Sequence, residues 1–154
     1  MDPQEITEEL GHPGARNLLD SATLLRLAYN GSDGFPRVIP IGFYWNRNQI
    51  VICTAATAPK VKSLSSRPHV AMTIDVGDTP TEAKALLVRG LASVDIVDGV
   101  PDEYIAASTK ALGADQVTLF ERRSGQCTTR WHVSPSSRYG RGSSTSVLAA
   151  CRPS

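Results

Sequence analysis

The chain has 154 residues, of which 41% are hydrophobic and 20% charged, with a formal net charge of +1. That length fits one domain around a single core, and no apolar run approaches the roughly 18–20 residues needed to span a bilayer. So small a net charge gives no support to a general nucleic-acid binder. The acidic start, "MDPQEITEEL", lacks the basic-then-apolar pattern of a secretory signal, and Cys53, Cys127 and Cys151 are widely spaced with no CxxC pair. No disulfide framework is expected, and a reducing cytoplasm is the expected location.

In chain order, residues 4–11 read as a short helix that "GHPG" breaks. "TLLRLAYN" (23–30) reads as a strand, and "NGSDGFP" is a run of turn formers in which Gly31 and Gly34 can supply positive φ. "RVIPIGFYW" (37–45) is β-branched and aromatic, with Arg37, Ile39, Ile41 and Phe43 on one face; Pro40 predicts a bulge or an unpaired edge position. "NRNQ" is a second turn and "IVICTA" a third strand. A helix starts at Pro59, where proline's missing N–H costs nothing; Val61 and Leu64 form its apolar pair, and "SSRP" ends it. "HVAMTIDV" is a fourth strand. "KALLVRGLASVDIV" is a fifth, with Gly90 a bulge or bend. Residues 101–112 form the clearest helix, with acids in the first turn, Lys110 near its end and Gly113 as its stop. "ADQVTLFERR" fits helix and strand equally, and "CTTRWHVS" reads as the last strand. The expectation is a mainly β chain with two or three short helices and six antiparallel strands, forming a small barrel or a strongly curled sheet; closure would remove sheet edges.

Charge is segregated along the chain. Between Gly34 and Ile74 there is no acid, yet Arg37, Arg47, Lys60, Lys62 and Arg67 occur; from Arg122 onward there is again no acid and six arginines. Two basic segments could converge on one anionic ligand. The stretch "TAATAPKVKSL" (54–64) is the sharpest candidate. Thr54 and Thr57 can donate to phosphate oxygens, small alanines allow close approach, the helix start presents N–H groups, and Lys60 and Lys62 add charge. An exposed helix carrying ordinary surface lysines is the competing reading. His12, His69 and His132 share no ligand spacing with one another or with cysteine, so no metal is expected. There is no GxSxG elbow, and no catalytic acid or base is legible.

The order of these elements is similar to a known family. "RLAYNGSDGFPRVIPIGFYWN…IVICTAATAPKVKSLSSRPHVAMTID" resembles the flavin-binding split-barrel proteins, the pyridoxamine 5′-phosphate oxidase-like family. The resemblance is carried by Asp33-Gly34, Pro36-Arg37, Thr54, Lys60 and Arg67-Pro68 in that order. It implies a six-stranded antiparallel split β-barrel over residues 1–140, with 141–154 a flexible tail. It also implies a homodimer with two cofactor sites at its interface. The strand Arg37, Val38, Ile39 and Pro40 would border the ring of a flavin or deazaflavin. Thr54, Thr57, Lys60 and Lys62 would hold its phosphate, and Arg130 or Arg138 would reach in from the partner.

The chain also departs from the true oxidases. Pro59 stands where they carry an arginine, Gly42 aligns with their ring-side lysine, and their C-terminal "R-x-H" segment is missing. The resemblance therefore points to the small branch that uses FMN or the deazaflavin coenzyme F420. The implied activity is an oxidoreductase moving a hydride between that cofactor and a small unsaturated substrate, with no nucleic-acid or membrane partner. The alternative is a non-catalytic split-barrel module that holds FMN or haem.

Overall fold

The computed structural model describes residues 3–77, 79, 81–113, 129–135 and 148–150. The described residues form four helices and eight strands: α1 (Pro3–Gly11), α2 (Pro13–Ser21), β1 (Leu24–Asn30), β2 (Pro36–Gly42), β3 (Tyr44–Trp45), β4 (Ile50–Thr54), α3 (Pro59–Ser66), β5 (His69–Val76), β6 (Lys84–Ile96), α4 (Asp102–Leu112), β7 (Thr129–Pro135) and β8 (Leu148–Ala150). The fold is mainly β, as the sequence predicts. All strands join one sheet, in the order β2-β1-β5-β6-β7-β4-β3, with β8 added to β6, and every pairing is antiparallel.

The two terminal strands of that path, β2 and β3, are separated in the chain by Phe43 alone. Consecutive Cα atoms are about 3.8 Å apart, so the sheet must curl until its ends meet. Phe43 sits at this junction with no exposed surface. β1 and β5 alternate buried and exposed side chains, and their register aligns the buried ones: Ile39, Leu27, Met72 and Val88 form one cross-strand row. Tyr29, Val70 and Gly90 form the next. This inner face, with Ile50 and Ile52 of β4, is the core. Burying such apolar side chains contributes about 1.5–3 kcal/mol each.

Pro40 lies within β2, which pairs only with β1, so its lack of an N–H is tolerated on an edge. At Gly90 the register runs unbroken on both sides, so the predicted bulge or bend is absent as a pairing defect. "GHPG" does break the first helix, since α1 stops at Gly11, but a second helix, α2, begins from it at Pro13. The His12 ring nitrogen Nδ1 accepts from the Gly14 N–H at 3.3 Å and Pro13 occupies the first turn. Ala15, Leu18 and Leu19 are the buried face of that helix.

The hairpin turn between β1 and β2 is closed by Gly31 and Gly34. The Gly31 N–H donates to the Phe35 carbonyl at 2.8 Å, and Gly34 has φ 86°. The Asp33 carboxylate accepts from the Phe35 N–H at 3.2 Å and pairs with Arg37 at 2.7 Å. A Cβ at Gly31 would meet the flexible ends of the Arg37 and Asp33 side chains, which would have to shift to admit it. Residues 114–128, which include the ambiguous "ADQVTLFERR", lie outside the described residues, as does Arg138.

Candidate functional site

Thr54 is the last residue of β4 and is half-buried. The chain then turns through Ala55–Ala58, where the Ala58 N–H donates to the Ala55 carbonyl at 3.0 Å. Pro59 opens α3, and Val61, Ser63 and Leu64 bury the inner side of that helix. No side chain caps α3 at Ala58; Pro59 has no N–H and the Val61 N–H donates to the Ala58 carbonyl at 2.9 Å, so the first turn offers the Lys60 N–H and the positive end of the helix dipole. Thr57 is exposed and Lys62 points to solvent, whereas Lys60 is half-buried. Burial pushes the Lys60 amine below the ordinary lysine value, and no carboxylate counteracts the shift. A desolvated cation beside an uncapped helix start is an arrangement an anion would relieve.

The antiparallel register places further residues on the same seam. Tyr44 pairs with Val51 and Trp45 with Ile50. Continuing back from β3 into β2 therefore runs toward the Thr54 end of β4, and β2 and β4 stay in contact where the β3–β4 pairing ends. Arg37, Val38, Ile39 and Pro40 lie on β2 beyond this contact, and Thr54 leads into the β4–α3 junction. On β2 the side chains divide. Ile39 is partly buried and packs against the core, while Val38 is 64% exposed on the outer face. Arg130 of β7 pairs in register with Cys53, one residue before Thr54. It thus lies one strand, about 5 Å, from the same junction within its own chain.

The charge pattern is partly neutralised. Arg37 is held by Asp33, and Arg26 on β1 forms an ion pair with Asp75 on β5. Both acids lie just outside the acid-free stretch that the sequence displays. Arg67, at the end of α3, donates to the Gly31 carbonyl at 2.7 Å, so it ties α3 to the β1–β2 turn. These pairings leave Lys60 as the cation of this segment that is both desolvated and without a carboxylate beside it among the described residues.

Sequence reasoning passed over Lys110 as a helix-end charge. Its amine donates to the Leu19 carbonyl at 2.9 Å and lies 4.4 Å from the centre of the Phe43 ring. It left Arg16 unassigned, read Trp45 as a core or dimer contact and counted Arg47 with the basic segment of residues 34–74, whereas the three line one cavity with α1 and α2. The left-handed φ of 72° at Arg47 was legible only as "NRNQ", a turn.

No family model and no curated protein matches the chain by sequence. Solved structures do match by shape. An F420 reductase shares 25% identity at a TM-score of 0.64, over 79% of this chain and 93% of that one. A haem storage protein from Vibrio cholerae, HutZ, shares 18% identity at a TM-score of 0.61, over 82% and 91%. A candidate pyridoxamine 5′-phosphate oxidase from Listeria innocua shares 18% identity at a TM-score of 0.52, over 85% and 94%. No helix among the described residues is long and apolar enough to cross a membrane.

Proposed function

We propose, from the premise that this chain has the fold of the pyridoxamine 5′-phosphate oxidase-like split-barrel proteins, that it is an FMN- or F420-dependent oxidoreductase built on a six-stranded split barrel. The single observation that carries the reading is Lys60, desolvated and without a carboxylate beside it at the uncapped start of α3. A phosphate there would meet the Lys60 ammonium and backbone N–H and the Thr54 and Thr57 hydroxyls. Lys62, nearer solvent, suits a longer anionic extension of the kind the F420 tail carries. The β2 backbone from Arg37 to Pro40 would form the opposite lip of the seam and border the ring. When bound, such a cofactor supplies hydride chemistry; the protein supplies binding, orientation and exclusion of water.

The same reading makes the protein a homodimer. The outer faces of β2, β1 and β5 align Val38, Ala28 and Ala71 in one row. Val38 and Leu24 are more than half exposed, and Phe35 at the hairpin tip is 71% exposed. A second copy of the chain would cover this apolar strip and close the seam over the cofactor, with Arg130 contributing from one side.

The test is titration of purified protein with FMN and, separately, with F420. One of the two is expected to saturate the protein. Lys60→Ala is expected to weaken that binding by about 1.5–3 kcal/mol, the scale of a charge-assisted hydrogen bond. Equal affinity in a folded Lys60→Ala variant would reduce Lys60 to a surface lysine. Tight binding without turnover of any added acceptor would favour the carrier module, a reading the fold shared with a haem storage protein keeps open.

A further inference from the structure

A second concavity lies apart from the seam, between the N-terminal helices and the β3–β4 hairpin. Its volume is about 290 Å³, near the lower end of small-molecule sites. Ile6 and Leu10 of α1 are buried beneath it and half-buried Trp45 forms a wall; Arg16, Asp20 and Arg47 stand at the rim. The charges there do not cancel. Asp20 already faces Lys110, whose ammonium it favours. No acid lies within ion-pair distance of either guanidinium among the described residues, since the ion pairs there are Arg26–Asp75 and Arg37–Asp33.

Arg47 is also held in the left-handed region at φ 72°, the one non-glycine residue so placed among the described residues. Such a conformation costs an L-residue about 1–2 kcal/mol. The turn itself does not need an arginine. Asn46 builds it by accepting from the Asn48 and Gln49 N–H groups at 3.0 and 2.7 Å, and glycine would fill position 47 without strain. What the arginine adds is a cation at the rim of an aromatic-walled cavity.

We propose that this cavity binds a small aromatic carboxylate, its ring against Trp45, Ile6 and Leu10 and its carboxylate between the Arg16 and Arg47 guanidiniums. Planar guanidinium forks match a carboxylate in two-point geometry, and the cavity accommodates one ring with a short acidic arm. The site is independent of the cofactor seam, and its test does not require a cofactor.

Phenylacetate serves as the probe, with neutral phenylacetamide as its matched control, each titrated into the full-length protein while tryptophan fluorescence is followed. Saturable binding of phenylacetate is expected, with a dissociation constant on the order of 1 mM or tighter for a ligand of this size. Phenylacetamide should bind about tenfold more weakly or worse. Arg47→Gly keeps a residue suited to the turn and should lose affinity for phenylacetate by about tenfold or more. Lys60→Ala, at the other site, should bind phenylacetate as the parent does. Absence of saturation at about ten times that concentration, equal binding of acid and amide, or an unaltered Arg47→Gly titration would each overturn the proposal. Loss of phenylacetate binding in Lys60→Ala would also overturn it, by moving the probe to the seam.

Discussion

Lys60 shows how one side chain can cost stability in the free protein and contribute affinity in the bound one. Its amine is desolvated, so its folded-state pKa lies below the ordinary 10.5. Between those two values the unfolded chain binds more protons than the folded one, and stability must rise with pH across that window. Lys60→Met removes the penalty. The ligand-free variant should be more stable than the parent at neutral pH by about 0.5–1 kcal/mol at most, because solvent screens a partly exposed charge. That gain should fade as the pH is raised toward 10.5. Urea unfolding at pH 7 and near pH 10 measures it; a gain that stays constant would assign the effect to packing by the methionine. The phosphate-binding role proposed for residues 54–60 rests on signals that are local in the sequence: small residues, a proline and a lysine. The partners of Arg37 and Arg26 were less legible, since Asp33 and Asp75 flank the acid-free stretch and only the turn and strand register bring them to the arginines.

Among the elements, α4 has no buried residue. One of its polar anchors is Lys110, which reaches the Leu19 carbonyl at the end of α2 and the face of Phe43. Lys110→Met keeps the aliphatic stem but gives up a hydrogen bond and a cation–π contact, so it should cost about 1–2 kcal/mol. Hydrogen exchange should show faster opening of residues 102–112 in the variant than of β5, whereas uniform acceleration would place the loss in the core. The strands themselves were legible because β1 and β5 alternate strictly and are bounded by turn formers. α2 was missed because Pro13 and Gly14 read as breakers, while in the fold proline takes the first turn and His12 caps it. β8 was not foreseen either: Leu-Ala-Ala is too short for a periodicity, and its pairing with Ala85–Leu87 is decided by tertiary proximity. The same holds for β6, whose pairing with three strands cannot be inferred from its own thirteen residues.

For the whole molecule, the proposed dimer joins fold to function, because the strip it would cover includes one lip of the seam. Val38→Asp places a charge in that strip without touching the core. It should shift the dimer toward monomer by about tenfold or more in dissociation constant and weaken the cofactor with it, as read by sedimentation and titration on the same sample. A monomer that binds cofactor undiminished would separate the site from the interface. The strand order also constrains how the protein can be made. β7 sits between β4 and β6, yet it is synthesised after both. Until it leaves the ribosome, the facing edges of β4 and β6 remain unpaired, and the sheet stays divided into a β2-β1-β5-β6 part and a β4-β3 part. At about 5–20 residues per second, the roughly 40 residues from the end of β6 to the end of β7 take some seconds to emerge. For that interval the facing edges of β4 and β6 present unpaired backbone N–H and C=O groups, a template on which another strand can pair.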